Sequence, residues 1–143
     1  MNNSTDVNRI PNRPSTLTYE TIDYFKFNKK SKHIVIPNHV TLIGGAIFNA
    51  FYNLTTITIP NSVVGIENYT FDGCRNLTSV DIQGSVTRIG RYAFNSCVSL
   101  TSIDIPRSVT DIGQTAFAGC SRLKSIIIPH GIKEIKLLHS LTA

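Results

Sequence analysis

Short stretches of alternating polar and aliphatic residues recur along this chain, and each ends at a proline or its equivalent. In residues 102–106 the order is Ser, Ile, Asp, Ile, Pro, which places both isoleucines on one side of an extended backbone. Proline ends the stretch because it cannot donate a backbone hydrogen bond. We predict β-strands with their aliphatic side chains in the core at five segments: residues 33–37, 56–60, 79–83, 102–106 and 125–129.

The five segments belong to a repeat whose period is the interval from Pro37 to Pro60. Self-similarity of this kind predicts a solenoid, in which each repeat forms one coil that packs only on its neighbours. Stacking would bring equivalent strands about 4.8 Å apart as a parallel sheet. The period is kept by Pro14, Pro37, Pro60, Pro106 and Pro129, by Phe25, Phe48, Phe71, Phe94 and Phe117, by Ile43, Ile66, Ile89, Ile112 and Ile135, by Leu54, Leu77, Leu100 and Leu123, and by Cys74, Cys97 and Cys120.

The second half of each repeat predicts a turn side of the solenoid. Val109 and Ile112 are three residues apart, so we expect both to enter the core from a turn or a second short strand. The glycines that follow the recurring isoleucine suggest a backbone with positive φ, at Gly44, Gly90 and Gly113. The next segment is too short for a free-standing helix, and we expect one helical or 3₁₀ turn that buries Ala116, Phe117 and Cys120.

The repeat divides the chain into three parts. Residues 1–13 are polar and predict a flexible tail. Residues 14–33 form a degenerate N-terminal capping repeat, because Glu20 replaces the recurring isoleucine and Ser31 the leucine. Residues 34–143 form the solenoid, whose last repeat is truncated because Ser140 stands where phenylalanine is due.

The C-terminal repeat predicts self-association. An apolar coil without a polar cap would expose a sheet edge, which the tail folding back, a second chain or a continuation of the natural protein could cover. We therefore expect a dimer or tetramer that forms through the apolar residues of this end: Ile126, Ile128, Ile132, Ile135, Leu137, Leu138 and Leu141.

The repeat from Leu100 to Cys120, written LxxIxIPxSVTxIGxxAFxxC, resembles the BspA-like class of leucine-rich repeats. The resemblance covers residues 34–135, with a degenerate copy back to Pro14. It implies a β-rich leucine-rich-repeat solenoid with a parallel sheet on the concave side and short strands and 3₁₀ or helical turns on the convex side. It also implies protein binding without catalysis. Alternatives are a surface adhesin for host or matrix proteins, as in some members, and an intracellular regulatory subunit such as a phosphatase binder.

Outward strand positions are the candidate binding residues, because leucine-rich solenoids present that side as an open sheet. The middle of this face is hydroxylic and acidic, and its ends are basic. Asp81 and Asp104 occupy the same repeat position, which explains them more simply than a paired-carboxylate catalytic site does. The face comprises Lys32, His33, Thr56, Thr58, Ser79, Asp81, Ser102, Asp104, Ser125 and Ile127.

Charge and composition change this picture little. The formal charge is +5, and residues 1–33 hold six of the 14 bases, with a single small cluster at residues 29–33. We therefore expect proteins as partners and do not expect nucleic acid. The N-terminus lacks the apolar core of a secretory signal, and no stretch is long enough to span a membrane. These features predict a cytoplasmic or nuclear protein, with surface exposure by an unconventional route as the alternative.

Cysteine and histidine give no catalytic pattern. The three cysteines share one repeat position that Phe51 fills in another coil, so we interpret them as reduced, space-filling core residues. No metal-binding motif is present, and no nucleophile pairs with a histidine. We predict a protein that is not an enzyme and needs no cofactor or metal. The histidines lie near the two ends of the array: His33, His39, His130 and His139.

Overall fold

A computed structural model describes residues 13–132 of the chain. Regular structure within that range is short, because every coil turns back after a few residues. A single helix of four residues, α1, lies in the first coil, and the strands are two to four residues long. In chain order the elements are β1 (Thr16–Leu17), α1 (Ile22–Phe25), β2 (His33–Val35), β3 (Leu42–Ile43), β4 (Thr56–Ile59), β5 (Gly65–Ile66), β6 (Ser79–Ile82), β7 (Arg88–Ile89) and β8 (Asp111–Ile112).

The strands form two parallel sheets, and the sequence period sets the register of both. In the first sheet, of order β2-β4-β6, Thr56 pairs with His33 on one side and with Ser79 on the other. In the second sheet, of order β1-β3-β5-β7-β8, Arg88 pairs with Gly65 and Asp111. Each partner lies one sequence period away, so one period is one coil. The predicted β-solenoid is confirmed.

Two of the five predicted strands are wrong. Residues 102–106 and 125–129 are not strands, and the first sheet ends at β6. Ile103 is nevertheless buried between the exposed Ser102 and Asp104, as the alternation predicted. Alternation specifies which side chains enter the core, whereas a strand also requires that two backbones approach closely enough to hydrogen-bond.

The predicted second strand is present, and the predicted helical turn is not. Val109 and Ile112 are both buried, and Ile112 ends β8. Ala116, Phe117 and Cys120 are also buried, but their segment is a run of hydrogen-bonded turns. Two residues per coil in this segment have positive φ, which a right-handed helix cannot contain: Ala46 and Ala50, Tyr69 and Gly73, Tyr92 and Ser96, and Thr115 and Gly119.

Backbone hydrogen bonds also join the turns of neighbouring coils. The amide of Phe94 donates to the carbonyl of Ala116 at 2.8 Å, and the amide of Phe71 donates to the carbonyl of Ala93 at 2.7 Å. These bonds satisfy buried backbone groups that would otherwise lose their hydrogen bonds to water. The coils are therefore joined along the turn side as well as along the sheets.

The prediction of positive φ for Gly44, Gly90 and Gly113 is wrong. None of them has positive φ, and the glycines that do are Gly73 and Gly119. The recurring glycine is required instead by close contact between coils: a β-carbon on Gly90 would lie 2.5 Å from the backbone nitrogen of Asn68.

The core is a column of equivalent side chains, one from each coil. The rings of Phe48, Phe71, Phe94 and Phe117 are fully buried and stacked, with centroids 5.1 to 5.4 Å apart. In the first coil Leu17 is fully buried, and α1 places Phe25 against this core. The column fixes the backbone from which the outward strand residues project.

Candidate functional site

We call the set of ten predicted binding residues the strand face: Lys32, His33, Thr56, Thr58, Ser79, Asp81, Ser102, Asp104, Ser125 and Ile127. Thr56 and Thr58 are half-buried, and the other eight are exposed. Parallel pairing in the first sheet aligns His33 with Thr56 and Ser79, and Thr58 with Asp81. The equivalent repeat positions of the two coils that follow the sheet hold Ser102, Asp104, Ser125 and Ile127. The face is thus an array of side chains at recurring positions, and its first three coils lie on a hydrogen-bonded sheet.

Hydroxyl groups at the edge of this face stabilise the coils. Thr55 Oγ1 donates to the carbonyl of Lys32 at 2.8 Å, and Thr78 Oγ1 donates to that of Thr55 at 3.1 Å. The row nearer the centre makes a side-chain contact, since His33 Nδ1 lies 2.8 Å from Thr56 Oγ1. These threonines have a structural role, which leaves the charged and apolar positions as the better candidates for contact with a partner.

Within residues 13–132 no base neutralises the acidic part of the strand face. Asp81 and Asp104 are exposed, and within residues 13–132 neither carboxylate lies within ion-pair distance of a base. Ile127, on the coil that follows Asp104, has 83% of its surface exposed. A cleft of about 310 Å³ lies between these coils and is lined by Asp104, Ile105, Arg107, Ile127, Ile128, Pro129 and His130.

The residues predicted to mediate self-association fall into two groups. Ile126, Ile128 and Ile132 are half-buried and pack against the core. The burial of Ile126 and Ile128 is less complete than that of Ile57 and Ile59, which occupy the equivalent positions in a central coil. The remaining four lie outside the described residues: Ile135, Leu137, Leu138 and Leu141.

The cysteines are reduced and buried, as the repeat predicts. Each thiol also donates a hydrogen bond to a phenylalanine carbonyl of the preceding coil; for Cys74 this is the carbonyl of Phe48, at 3.1 Å. Burial raises the pKa of Cys74 to about 12. Cys74 is therefore a poor nucleophile at neutral pH, in agreement with a packing role for this residue.

Other candidate chemistry gives no assembled site in the described part of the chain. No group of three His, Cys, Asp or Glu residues in this part could hold a metal ion. His39 packs on Phe25 with ring centroids 6.0 Å apart, whereas His33 and His130 are exposed. His139 lies outside the described residues. No helix in residues 13–132 has the length and hydropathy needed to cross a bilayer.

Sequence reasoning missed the aromatic residues on the turn side. Tyr69 and Tyr92 stack with centroids 5.0 Å apart and nearly parallel rings, and the Arg75 guanidinium lies 5.8 Å from the centroid of the Tyr52 ring. The two residues of each pair are one period apart in the sequence, so the repeat alone predicts that they are neighbours.

Several predictions stay predictions, because the geometry does not bear on them. These are the limits of the three parts of the chain, the cytoplasmic or nuclear location, and the adhesin and phosphatase-binding alternatives.

Comparisons with known proteins agree with the coil geometry. The sequence model of the BspA type leucine rich repeat region matches residues 20–138 with six copies. A search of curated proteins gives no match. Among solved structures, a leucine-rich repeat protein of T. pallidum is similar at 32% identity and a TM-score of 0.72, over 74% of this chain and 52% of that one.

Two other bacterial leucine-rich repeat proteins are also similar. One, from Bacteroides ovatus, has 33% identity and a TM-score of 0.60 over 71% of this chain and 32% of its own. The other, from Bacteroides capillosus, has 27% identity and a TM-score of 0.59 over 67% of this chain and 75% of its own. The chain thus spans about half the length of the first of the three relatives and a third of the second. It belongs to the BspA-type leucine-rich repeat family.

Proposed function

We propose that this protein is a non-enzymatic scaffold that binds other proteins through its strand face. The observation that carries the proposal is the row of chemically mixed, mostly exposed side chains at equivalent positions of five coils, three of which are paired in the first sheet. Binding to a rigid array costs little conformational entropy, because its side chains are already positioned. A row that crosses five coils favours a macromolecular partner over a small molecule.

The chemistry of the strand face supports the same proposal. Lys32 and His33 make one end basic, Asp81 and Asp104 make the middle acidic, and Ile127 is an exposed apolar residue near the other end. Protein interfaces combine apolar contact with charge complementarity, which gives specificity and steers association. Such a mosaic fits a protein surface of complementary pattern.

The proposal is tested by capture from an extract of the source cells, followed by binding of the purified partner in calorimetry. Three proteins are compared: wild type, the double variant Asp81→Lys and Asp104→Lys on the strand face, and Asp111→Lys on the second sheet as control. We expect a partner that wild type and the control retain and that the double variant binds at least tenfold more weakly. A partner retained equally by all three, or no partner at all, contradicts the proposal.

A second candidate is self-association through the C-terminal coil, which the half-burial of Ile126, Ile128 and Ile132 favours. A second chain that covers half-buried apolar residues lowers the free energy, because it removes their remaining apolar surface from water. Light scattering after size exclusion tests this over a range of concentrations. A mass of two or four chains that falls in the variant Leu137→Asp and Leu138→Asp supports it, whereas a mass of 15.8 kDa at every concentration contradicts it.

A further inference from the structure

Along the strand face, the backbone hydrogen bonds between neighbouring coils end at β6 within the described residues. In β4 the amides and carbonyls pair with both neighbouring strands, and the amide of Gln83 donates to the carbonyl of Ile59 at 2.9 Å. Residues 102–105 and 125–128 form no hydrogen bond with any residue in the range 13–132. The first sheet is therefore open along the side of β6 that faces Ser102 to Ile105.

The same coil stays bonded on its other sides. β7 pairs with β8, so Arg88 is joined to Asp111, and the amide of Phe94 donates to Ala116. For the coil of residues 102–105 the opening is thus confined to the strand face, because its second strand and its turn side are bonded to the preceding coil. Unpaired amides and carbonyls on an extended segment can accept an added strand.

The side chains around the opening determine which residue types a bound strand would need. Asp104 is exposed without a basic partner in the described residues, and it shares a cleft with the half-buried Ile105 and Ile128 and the exposed Ile127. The carboxylate would form its strongest hydrogen bonds with Lys or Arg, and the isoleucines would pack against aliphatic side chains. Side chains alternate along an extended peptide, so neighbouring residues can meet both demands.

We propose that the cleft between residues 102–105 and 125–130 binds an extended segment of the partner protein, with a Lys or Arg at Asp104 and an aliphatic residue against Ile105, Ile127 and Ile128. This inference rests on the proposed function and names the partner segment that the strand face recognises. The backbone of the segment supplies hydrogen bonds to the open coils, and its side chains supply specificity.

The test is selection from a random peptide library displayed on phage, with the full chain as bait. Enriched peptides are then synthesised, and their affinities are measured by fluorescence anisotropy. We expect enriched sequences to contain Lys or Arg next to Val, Ile or Leu, and their affinity to fall as salt rises, because the pair at Asp104 is solvent-exposed.

Matched variants locate the bound peptide. Asp104→Asn and Ile127→Thr change the cleft, whereas Asp111→Asn and Val64→Thr make the same kinds of change on exposed residues of the second sheet and its flank. We expect at least tenfold weaker binding in the first two and less than a twofold change in the controls. Equal denaturation midpoints check that all four variants are folded.

Three outcomes would overturn this inference: no enrichment, enrichment of peptides without a basic residue, or equal loss of binding in the second-sheet controls. The proposed function has its own test, which is the capture of an intact partner protein. If the charge reversal on the strand face abolishes capture of that partner while peptides fail to bind, the scaffold stands and the extended-segment mode is wrong.

Discussion

Gly113 lies directly against the backbone of Arg91 in the preceding coil. A β-carbon on Gly113 would lie 2.3 Å from the Arg91 nitrogen, closer than non-bonded atoms can approach. We predict that Gly113→Ala lowers the free energy of unfolding by about 1–3 kcal/mol, because the coils must separate to admit the methyl group. Urea denaturation measures the change.

Gly84→Ala is the matched control for that substitution. A β-carbon at Gly84 has only the Pro106 side chain at 4.0 Å nearby, and its φ is not positive. We expect a neutral or slightly stabilising effect, since alanine reduces the conformational entropy of the unfolded chain. A loss as large as that of Gly113→Ala would show that close coil contact is not the reason for the recurring glycine.

Residues 50, 73, 96 and 119 occupy one repeat position at which the backbone φ is positive. Substitutions both from glycine and to glycine can therefore be tested there. Gly73 has a φ of 76°, and a β-carbon there would make only ordinary contacts, the nearest at 3.8 Å from the Ala50 nitrogen, so Gly73→Ala should cost about 1 kcal/mol through backbone strain alone. Ser96 has a φ of 59° at the equivalent place, and Ser96→Gly should be neutral or stabilising. Thermal and urea unfolding of both variants check the signs. A loss of stability in Ser96→Gly contradicts the assignment.

The column of phenylalanines should dominate the stability of the central coils. Phe94 is fully buried between Phe71 and Phe117, so Phe94→Ala should cost about 3–5 kcal/mol by leaving a cavity. Thr78 is exposed and contributes one hydroxyl hydrogen bond, so Thr78→Ala should cost under about 1 kcal/mol. Near-equal losses in urea unfolding would contradict the inward and outward assignment.

His39 should make stability depend on pH. Its pKa is lowered because burial disfavours the charged ring and because Arg13 is close, although a hydrogen bond to the Pro14 backbone opposes the shift. Its Nε2 atom is buried and has no partner in the described residues. The unfolded chain therefore binds the proton first as the pH falls below about 6.5, the ordinary value for histidine, and stability is lost there.

We expect His39→Gln to reduce the fall in stability between pH 7 and pH 5, measured by urea unfolding at each pH. His130→Gln, at an exposed position, is the control and should keep the wild-type profile. An unchanged profile in His39→Gln would show that other groups cause the acid sensitivity.

The sequence alone determined the period, the register and the core. A coil of one sequence period places equivalent positions next to one another, so the pairing of His33 with Thr56 and the stack of Phe71 on Phe94 follow from counting. The sequence also determined which strand residues face outward, because alternation in an extended chain has a period of two. The candidate binding face could be read for this reason.

Only the tertiary structure decided the features that depend on the distance between the backbones of neighbouring coils. Alternation could not show that residues 102–105 leave the first sheet, since burial of Ile103 is compatible with either arrangement. The glycine pattern likewise could not distinguish positive φ from close approach, because both require the absence of a β-carbon. Only the packing of one coil on the next shows that Gly113 is small because Arg91 lies against it, and that the strand face opens beside Asp104.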